Sequence, residues 1–227
     1  MSPVILAAWA FLAGLTLTIS AQPPDKDVEQ ALEAVRISAT AGDVVAQFSL
    51  GALLYYGSAD TSQAIEWFRK AAAQAFAPAE LQMGHLYDFG FGVRQDDAKA
   101  LVWYRKAAEH GSAAGLRAVG DCYRKGRGVA ADAAEAARWY RRGADGEDLR
   151  AQYELGQMYF TGTGVSRDYA SAYLWFSLAA SQTPLADNRD GLLELRNIAA
   201  ARMTPEDVAA AAGRVAAWKP RSPSSPW

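Results

Sequence analysis

The stretch AQYELGQMYFTGTGVSRDYASAYLWFSLAA, residues 151–180, decides the fold because its landmarks return at a fixed interval. Trp175 is preceded by Trp139, Trp103 and Trp67, each 36 residues before the next. Gly156 returns as Gly120 and Gly84, and Tyr159 as Tyr123 and Tyr87. The turn glycines Gly162 and Gly164 repeat as Gly126 and Gly128 and as Gly90 and Gly92. Val165 and Asp168 repeat in step as Val129 and Asp132 and as Val93 and Asp96. A fixed period of this length marks an array of supersecondary units that bury their apolar faces against one another.

Each unit reads as two helices. In the second full unit, Leu81, Met83, Leu86 and Tyr87 form an apolar stripe at helical spacing. Gly90 suits the left-handed conformation that ends a helix, and Gly92 helps the chain reverse. Asp96 is placed to accept from the first free amides of the next helix, and Asp132 with Glu135 has the form of a capping box. The second helix, from about Asp97 to His110, is expected to bury Ala100, Trp103 and Ala107. Gly84, Gly120 and Gly156 sit inside first helices, where glycine costs about 1 kcal/mol relative to alanine. Close approach of the paired helix offsets that cost, with Ala107-Ala108 and Ala179-Ala180 as the expected facing surface.

Outward from the complete units the frame becomes irregular. The unit from Ala46 keeps Leu50-Gly51 and Gly57 but lacks three turn residues, so Gly51 stands 33 rather than 36 before Gly84. Before it lies half a unit, Val28 to Gly42, with Ala31 and Ala34 in the places of Ala64 and Trp67. After the last unit, Leu192, Leu195, Ile198 and Ala199 recur at helical spacing, and Thr204-Pro205-Glu206 is a helix start. The expected organisation is a signal peptide at 1–21, a half repeat or cap at 22–45 and four repeats at 46–182. Capping helices at 183–218 and a disordered Pro/Ser-rich tail at 219–227 complete it.

The pattern Ala151, Leu155-Gly156, Tyr159, Gly162, Gly164-Val165, Asp168, Ala172, Trp175, Ala179-Ala180 resembles the Sel-one-like repeat, a relative of the tetratricopeptide repeat. Local departures are the short first turn, Gly115 for the opening alanine of the third unit, and Gly143 for an alanine after Trp139. The resemblance implies an all-α, right-handed α/α superhelical solenoid with a C-terminal helical cap. It also implies a concave groove lined by first helices, at positions three before, one after and four after the packed glycine. Carried onto this chain, those positions are Phe48, Ala52 and Tyr55; Leu81, His85 and Asp88; Arg117, Asp121 and Arg124; and Tyr153, Gln157 and Phe160. Their chemistry changes from unit to unit on a constant frame, with aromatics at the ends and charges in the middle. Such variation fits a face that binds a protein or peptide, where aromatic and arginine side chains serve as anchors.

Composition excludes several alternatives. With 23 basic and 25 acidic residues, the chain lacks the basic footprint of a nucleic-acid binder. Its single cysteine, Cys122, makes no internal bridge, and two histidines with one thiol are a poor zinc kit. No cofactor is expected. The Gly-x-Gly turns follow helices and lack the endings of a phosphate loop. Ser112 has no nucleophile-elbow context. Cys122, beside Gly120, reads as a buried inert thiol, and His110 as a side chain suited to a helix C-terminus.

Residues 3–19 carry no charge and are mostly apolar, followed by the small Ser20 and Ala21. This reads as an export signal cleaved after Ala21, giving a periplasmic or secreted protein with no membrane span after cleavage. No basic residue precedes the run, and its length approaches the ~20 residues of a spanning helix. The alternative is therefore an inner-membrane anchor formed by residues 1–21. The expected function is an exported scaffold or adaptor that is not an enzyme. The alternatives are a membrane-anchored regulator or a hydrolase of the cysteine-rich, β-lactamase-like repeat type. Relatives of that type carry paired cysteines in each unit, and this chain has none.

Overall fold

A computed structural model describes residues 26–57, 61–183 and 186–222. The expected signal segment 1–21 and residues 223–227 of the expected tail lie outside the described residues. Among those described there are eleven α-helices and no strand, in the helix-turn-helix succession that the repeat predicts. They fall into two compact units, Met1–Ala79 and Glu80–Trp227.

The N-terminal unit holds α1 (Lys26–Thr40), α2 (Val44–Gly57) and α3 (Thr61–Ala72). Val35 and Ala39 of α1 pack with Ala46 and Leu50 of α2, and Leu54 and Trp67 close the cluster. Helix α1 thus takes the role of a second helix, with Val35 where a full unit has Phe68. Helix α2 starts at Asp43, whose carboxylate accepts from the amide of Ala46 at 2.7 Å.

The next helix, α4 (Ala77–Phe89), begins at the junction. In the C-terminal unit it is followed by α5 (Asp97–Glu109), α6 (Ala113–Lys125), α7 (Ala133–Asp145), α8 (Leu149–Thr161) and α9 (Tyr169–Gln182). Two further helices, α10 (Ala186–Ala200) and α11 (Pro205–Ala217), end the fold. From α6 to α10 each helix packs on the one before it, and α11 returns to α9. Asp96, Asp132 and Asp168 cap α5, α7 and α9, accepting from Lys99 at 2.9 Å, Glu135 at 2.9 Å and Ala170 at 3.0 Å. The capping box at Asp132 is only half made. Glu135 turns its carboxylate to Arg138 Nε at 2.8 Å and Trp139 Nε1 at 2.8 Å, charged and ring donors within its own helix.

Asp168 carries a pH consequence. Burial alone would raise its carboxyl, but donors from Ser171 and Ala170, with Arg214 nearby, outweigh burial and hold it below 3.8. A lowered folded-state value means that the stabilisation is fully present above the ordinary carboxyl range. It is lost as pH falls through the lowered value. Asp168→Asn is therefore expected to flatten the acid limb of the unfolding midpoint below about pH 4, measured by thermal melts. An unchanged limb would count against this assignment.

The close approach at the mid-helix glycines is present, but an aromatic ring faces them rather than alanines. A methyl on Gly120 would stand 2.7 Å from the ring of Tyr140, and one on Gly156 would stand 2.7 Å from Phe176. Gly51 meets Phe68 and Gly84 meets Tyr104 in the same way. A ring is flat, so its face lies against a bare helix backbone, and the aromatic takes the buried place expected for Trp103. Tyr104 is 2% exposed, whereas Trp103 is half-buried. The alanines serve the next junction. Ala107 and Ala108 lie against Gly115 at the start of α6, and Ala179 and Ala180 against Leu192 of α10.

The tryptophans show how the array ends. Trp67 lies beneath Lys70 at 4.0 Å, Trp103 beneath Lys106 at 4.5 Å and Trp139 beneath Arg142 at 5.0 Å. In the last repeat Leu178 replaces that cation, and Trp175 is buried against Trp218 just after α11, ring centroids 6.4 Å apart. Trp218→Ala is expected to cost about 2 kcal/mol, roughly 4–8 °C in the unfolding midpoint. An unshifted calorimetric midpoint would show that the cap does not rest on this contact. Beyond it, the amide of Arg221 donates to the carbonyl of Asp145 at 2.8 Å. The segment expected to be disordered from residue 219 is thus tied to the end of α7 at Arg221, because a free helix-end carbonyl is available there.

Candidate functional site

The positions carried over from the resemblance lie on first helices, and most have partners within the fold. In the N-terminal unit, Phe48 packs against Phe68 and Phe76, each centroid 5.6 Å away. Ala52 is half-buried. Tyr55 lies between Tyr56 and Phe68, and burial, with Tyr56 beside it, raises its hydroxyl above the ordinary value. Tyr56, one residue on, is 66% exposed.

In the C-terminal unit the middle charges follow from the rings that face the glycines. Where the ring is tyrosine, its phenol needs an acceptor in the interior. Tyr104 donates to Asp88 at 3.0 Å, and Tyr140 donates to Asp121 at 2.6 Å while accepting from Arg124 Nε at 2.9 Å. Burial first, and the carboxylates second, push both phenols far above their ordinary range. Where the ring is phenylalanine, as at Phe68 and Phe176, the matching positions carry no carboxylate. The change from aromatic ends to charged middle therefore tracks a phenol hydroxyl. Much of the apparent variation is internal pairing.

Asp88 is the clearest correction to the expected open face. It is 6% exposed and paired with Arg127 of the following turn as well as with Tyr104. A buried carboxylate is tolerated there because both donors point at it. Arg117 joins Asp121 at 3.2 Å and Asp148, the N-cap of α8, at 3.2 Å. Arg124, 36% exposed, lies 3.7 Å from Glu154. Arg117, Asp121, Arg124, Asp148 and Glu154 thus form one charged strip across α6 and α8. Leu81 is half-buried against the cluster of α5 and α6.

His85 is half-buried, its ring 5.5 Å from Tyr104 and 6.3 Å from Phe89. Burial first and the positive charge of Arg117 second lower its pKa below 6.5, with Asp88 opposing. The folded state thus binds this proton less readily than the unfolded chain. The resulting stabilisation is complete above 6.5 and declines as pH falls through the lowered value. His85→Gln is expected to remove that decline from the melting-temperature profile. A His85 ring titrating at or above 6.5 by NMR would contradict it.

The last repeat departs from an open groove for another reason. Tyr153 and Phe160 pack with Leu195 and Ala199 of α10, which lies where a further first helix would stack. Gln157 donates to the Tyr153 hydroxyl at 2.9 Å, and Arg202 covers Phe160 at 5.0 Å. These aromatics serve the cap.

Two features escaped the sequence reading. Phe89 and Phe91, stacked at 5.6 Å, are 59% and 52% exposed. The equivalent pairs are Lys125 and Arg127, then Thr161 and Thr163, so the frame does not require aromatics there. His110 contacts the buried Glu80 through Nδ1 at 2.7 Å, in addition to sitting at its helix end. The matching pairs are Gln47 with Gln74 and Gln152 with Gln182, a polar link visible in sequence only once the contact is known.

Reactive chemistry finds little support. Burial pushes the Cys122 thiol up to about 11, so it is a poor nucleophile at neutral pH. Ser112 accepts from the amide of Gly115 at 3.0 Å as the N-cap of α6. Among the described residues no helix is long and apolar enough to cross a membrane.

Comparison with known proteins supplies the family. The Sel1 repeat model matches residues 44–76, 77–112, 113–148 and 149–184. No curated protein matches the chain. One similar solved structure is a protective antigen present in uropathogenic Escherichia coli strains that displays an SLR fold. It is 32% identical with a TM-score of 0.74, over 95% of this chain and 44% of the antigen. This chain therefore spans less than half of that protein. A Sel1 repeat protein from Oxalobacter formigenes is 32% identical with a TM-score of 0.65, over 80% of this chain and 73% of the other. With four matched repeats across most of its length, the chain belongs to the Sel1 repeat family.

Proposed function

We propose that this protein is an exported scaffold that holds a protein or peptide segment along the first helices of its C-terminal unit. Sel1 repeats generally mediate protein–protein contacts. The observation that carries the reading here is the exposed Phe89–Phe91 stack at the end of α4. Two stacked rings in water cost solvation without serving the repeat frame, and such aromatics are common binding anchors. His85 adjoins Phe89, and Arg124 offers an accessible guanidinium on α6. Phe48, Tyr55, Tyr153, Gln157 and Phe160 support the scaffold mainly by packing. Arg117, Asp121 and Asp88 set the charge of the face.

The test is co-purification from producing cells with the full chain tagged. Phe89→Ser with Phe91→Ser is expected to release the partner, a loss of roughly 30-fold or about 2 kcal/mol. The melting curve should stay within about 2 °C of the parent. Retention of the partner by the folded variant would overturn the assignment. Export is supported by the uncharged apolar run at residues 3–19. It predicts a mature chain starting at Gln22 in the envelope fraction, whereas an intact N-terminus in membranes would favour the anchored form.

A further inference from the structure

The cap helices do more than cover the last repeat. Together with α9 they enclose a trough of about 310 Å³. One face of α9 supplies Tyr173, Ser177, Ala180 and Ser181. Helix α10 supplies Arg189, Leu193 and Arg196 at one-turn spacing, and α11 supplies Ala212 and Val215. The floor is thus apolar, and the charge that the described residues bring to it is all of one sign. Among the described residues two guanidiniums line the trough and no carboxylate does.

Neither guanidinium is neutralised by an ion pair among the described residues. Arg196 donates to the amide oxygen of its neighbour Asn197 at 2.8 Å, and its guanidinium lies 5.8 Å from the Tyr173 ring. The ring and the amide hold it in place while leaving its charge uncompensated. Arg189 stands two turns earlier on the same helix, about 10 Å along the axis, within converging reach of a long side chain. The hydroxyls of Ser177 and Ser181 donate to their own helix, at Tyr173 O (2.6 Å) and Leu178 O (2.7 Å). Donation to an incoming anion therefore falls to the arginines. A volume of this size lies at the lower end for small-molecule sites.

We infer that this trough binds a small amphipathic carboxylate, an aliphatic or aromatic acid whose carboxylate meets Arg189 and Arg196 and whose apolar body lies on Leu193, Ala212 and Val215. Guanidinium suits this anion because its planar donors pair with both carboxylate oxygens. The inference does not rest on the protein-binding reading, since the trough lies between α9 and the cap and includes none of the carried-over groove residues.

The test is titration calorimetry of the full chain with octanoate, octanol and octylammonium. Octanoate is expected to bind saturably with a dissociation constant below about 1 mM, and the other two at least about tenfold more weakly. Arg189→Gln with Arg196→Gln is expected to lower octanoate affinity about tenfold or more. An unchanged melting curve establishes that the variant is folded. Leu193→Ser gives a second probe, weakening the acid through the floor with no change of charge. Equal binding of octanol, undiminished octanoate binding in the folded double arginine variant, or no saturable heat up to about 5 mM would each overturn the inference.

Discussion

Gly128→Ala is expected to lower the unfolding midpoint by about 6–12 °C. Gly128 has φ +68°, a conformation that L side chains rarely adopt, at a cost of roughly 1–2 kcal/mol. Space adds a second penalty. A methyl group there would stand 2.6 Å from the carbonyl carbon of Asp97 and 2.9 Å from Ala98 Cα, against the carbonyl oxygen itself. Those atoms are backbone at the start of α5, so relief means moving a helix. The sum is about 3 kcal/mol. Gly164 meets Ala133 in the same manner one repeat later and should behave alike. Gly111, whose added methyl would meet nothing within 4 Å, provides the control, with conformational strain alone. Equal midpoints for the Gly128 and Gly111 alanine variants would show that the turn does not press on the preceding helix.

Asp88→Ala is expected to cost about 3 kcal/mol, because it strips the acceptor from a buried phenol and leaves Arg127 without its carboxylate. Tyr104→Phe removes only one donor and should cost about 1 kcal/mol. In the double variant the phenol no longer needs an acceptor, so the combined loss should fall short of the sum by about 1 kcal/mol. Chemical denaturation of the four proteins measures that shortfall. Strict additivity would mean that Asp88 and Tyr104 are neighbours without being partners, and the account of the charged middle repeats would fail with it.

The frame was legible because it repeats. Glycine at 90, 126 and 162, aspartate at 96, 132 and 168, and the packed glycines each stand for a backbone requirement that any copy reveals. The ring facing those glycines also recurs at 36 residues, as Tyr104, Tyr140 and Phe176, directly after the tryptophans. Attention to the larger side chain placed the buried position one residue early, a rotation of about 100° on a helix. Pairing between units was less legible. Asp88 with Arg127, Arg117 with Asp148, and α10 over Phe160 each join residues about one repeat or more apart, and helical periodicity says nothing about which partners meet. For the same reason, residues read as a variable binding face proved to include ring acceptors and cap contacts. The exposed Phe89–Phe91 pair was readable in principle, since a Gly-Phe-Gly turn sets aromatics where the sister turns carry Lys, Arg and Thr.

The central claim is that a partner lies on the first helices of the C-terminal unit, and in-cell photo-crosslinking tests it most directly. Photoreactive residues placed at Phe91 and Arg124 should capture one and the same discrete partner. Lys99, exposed at the start of the second helix α5, should capture none. No adduct from Phe91 and Arg124, or the same adducts from Lys99, would contradict the account.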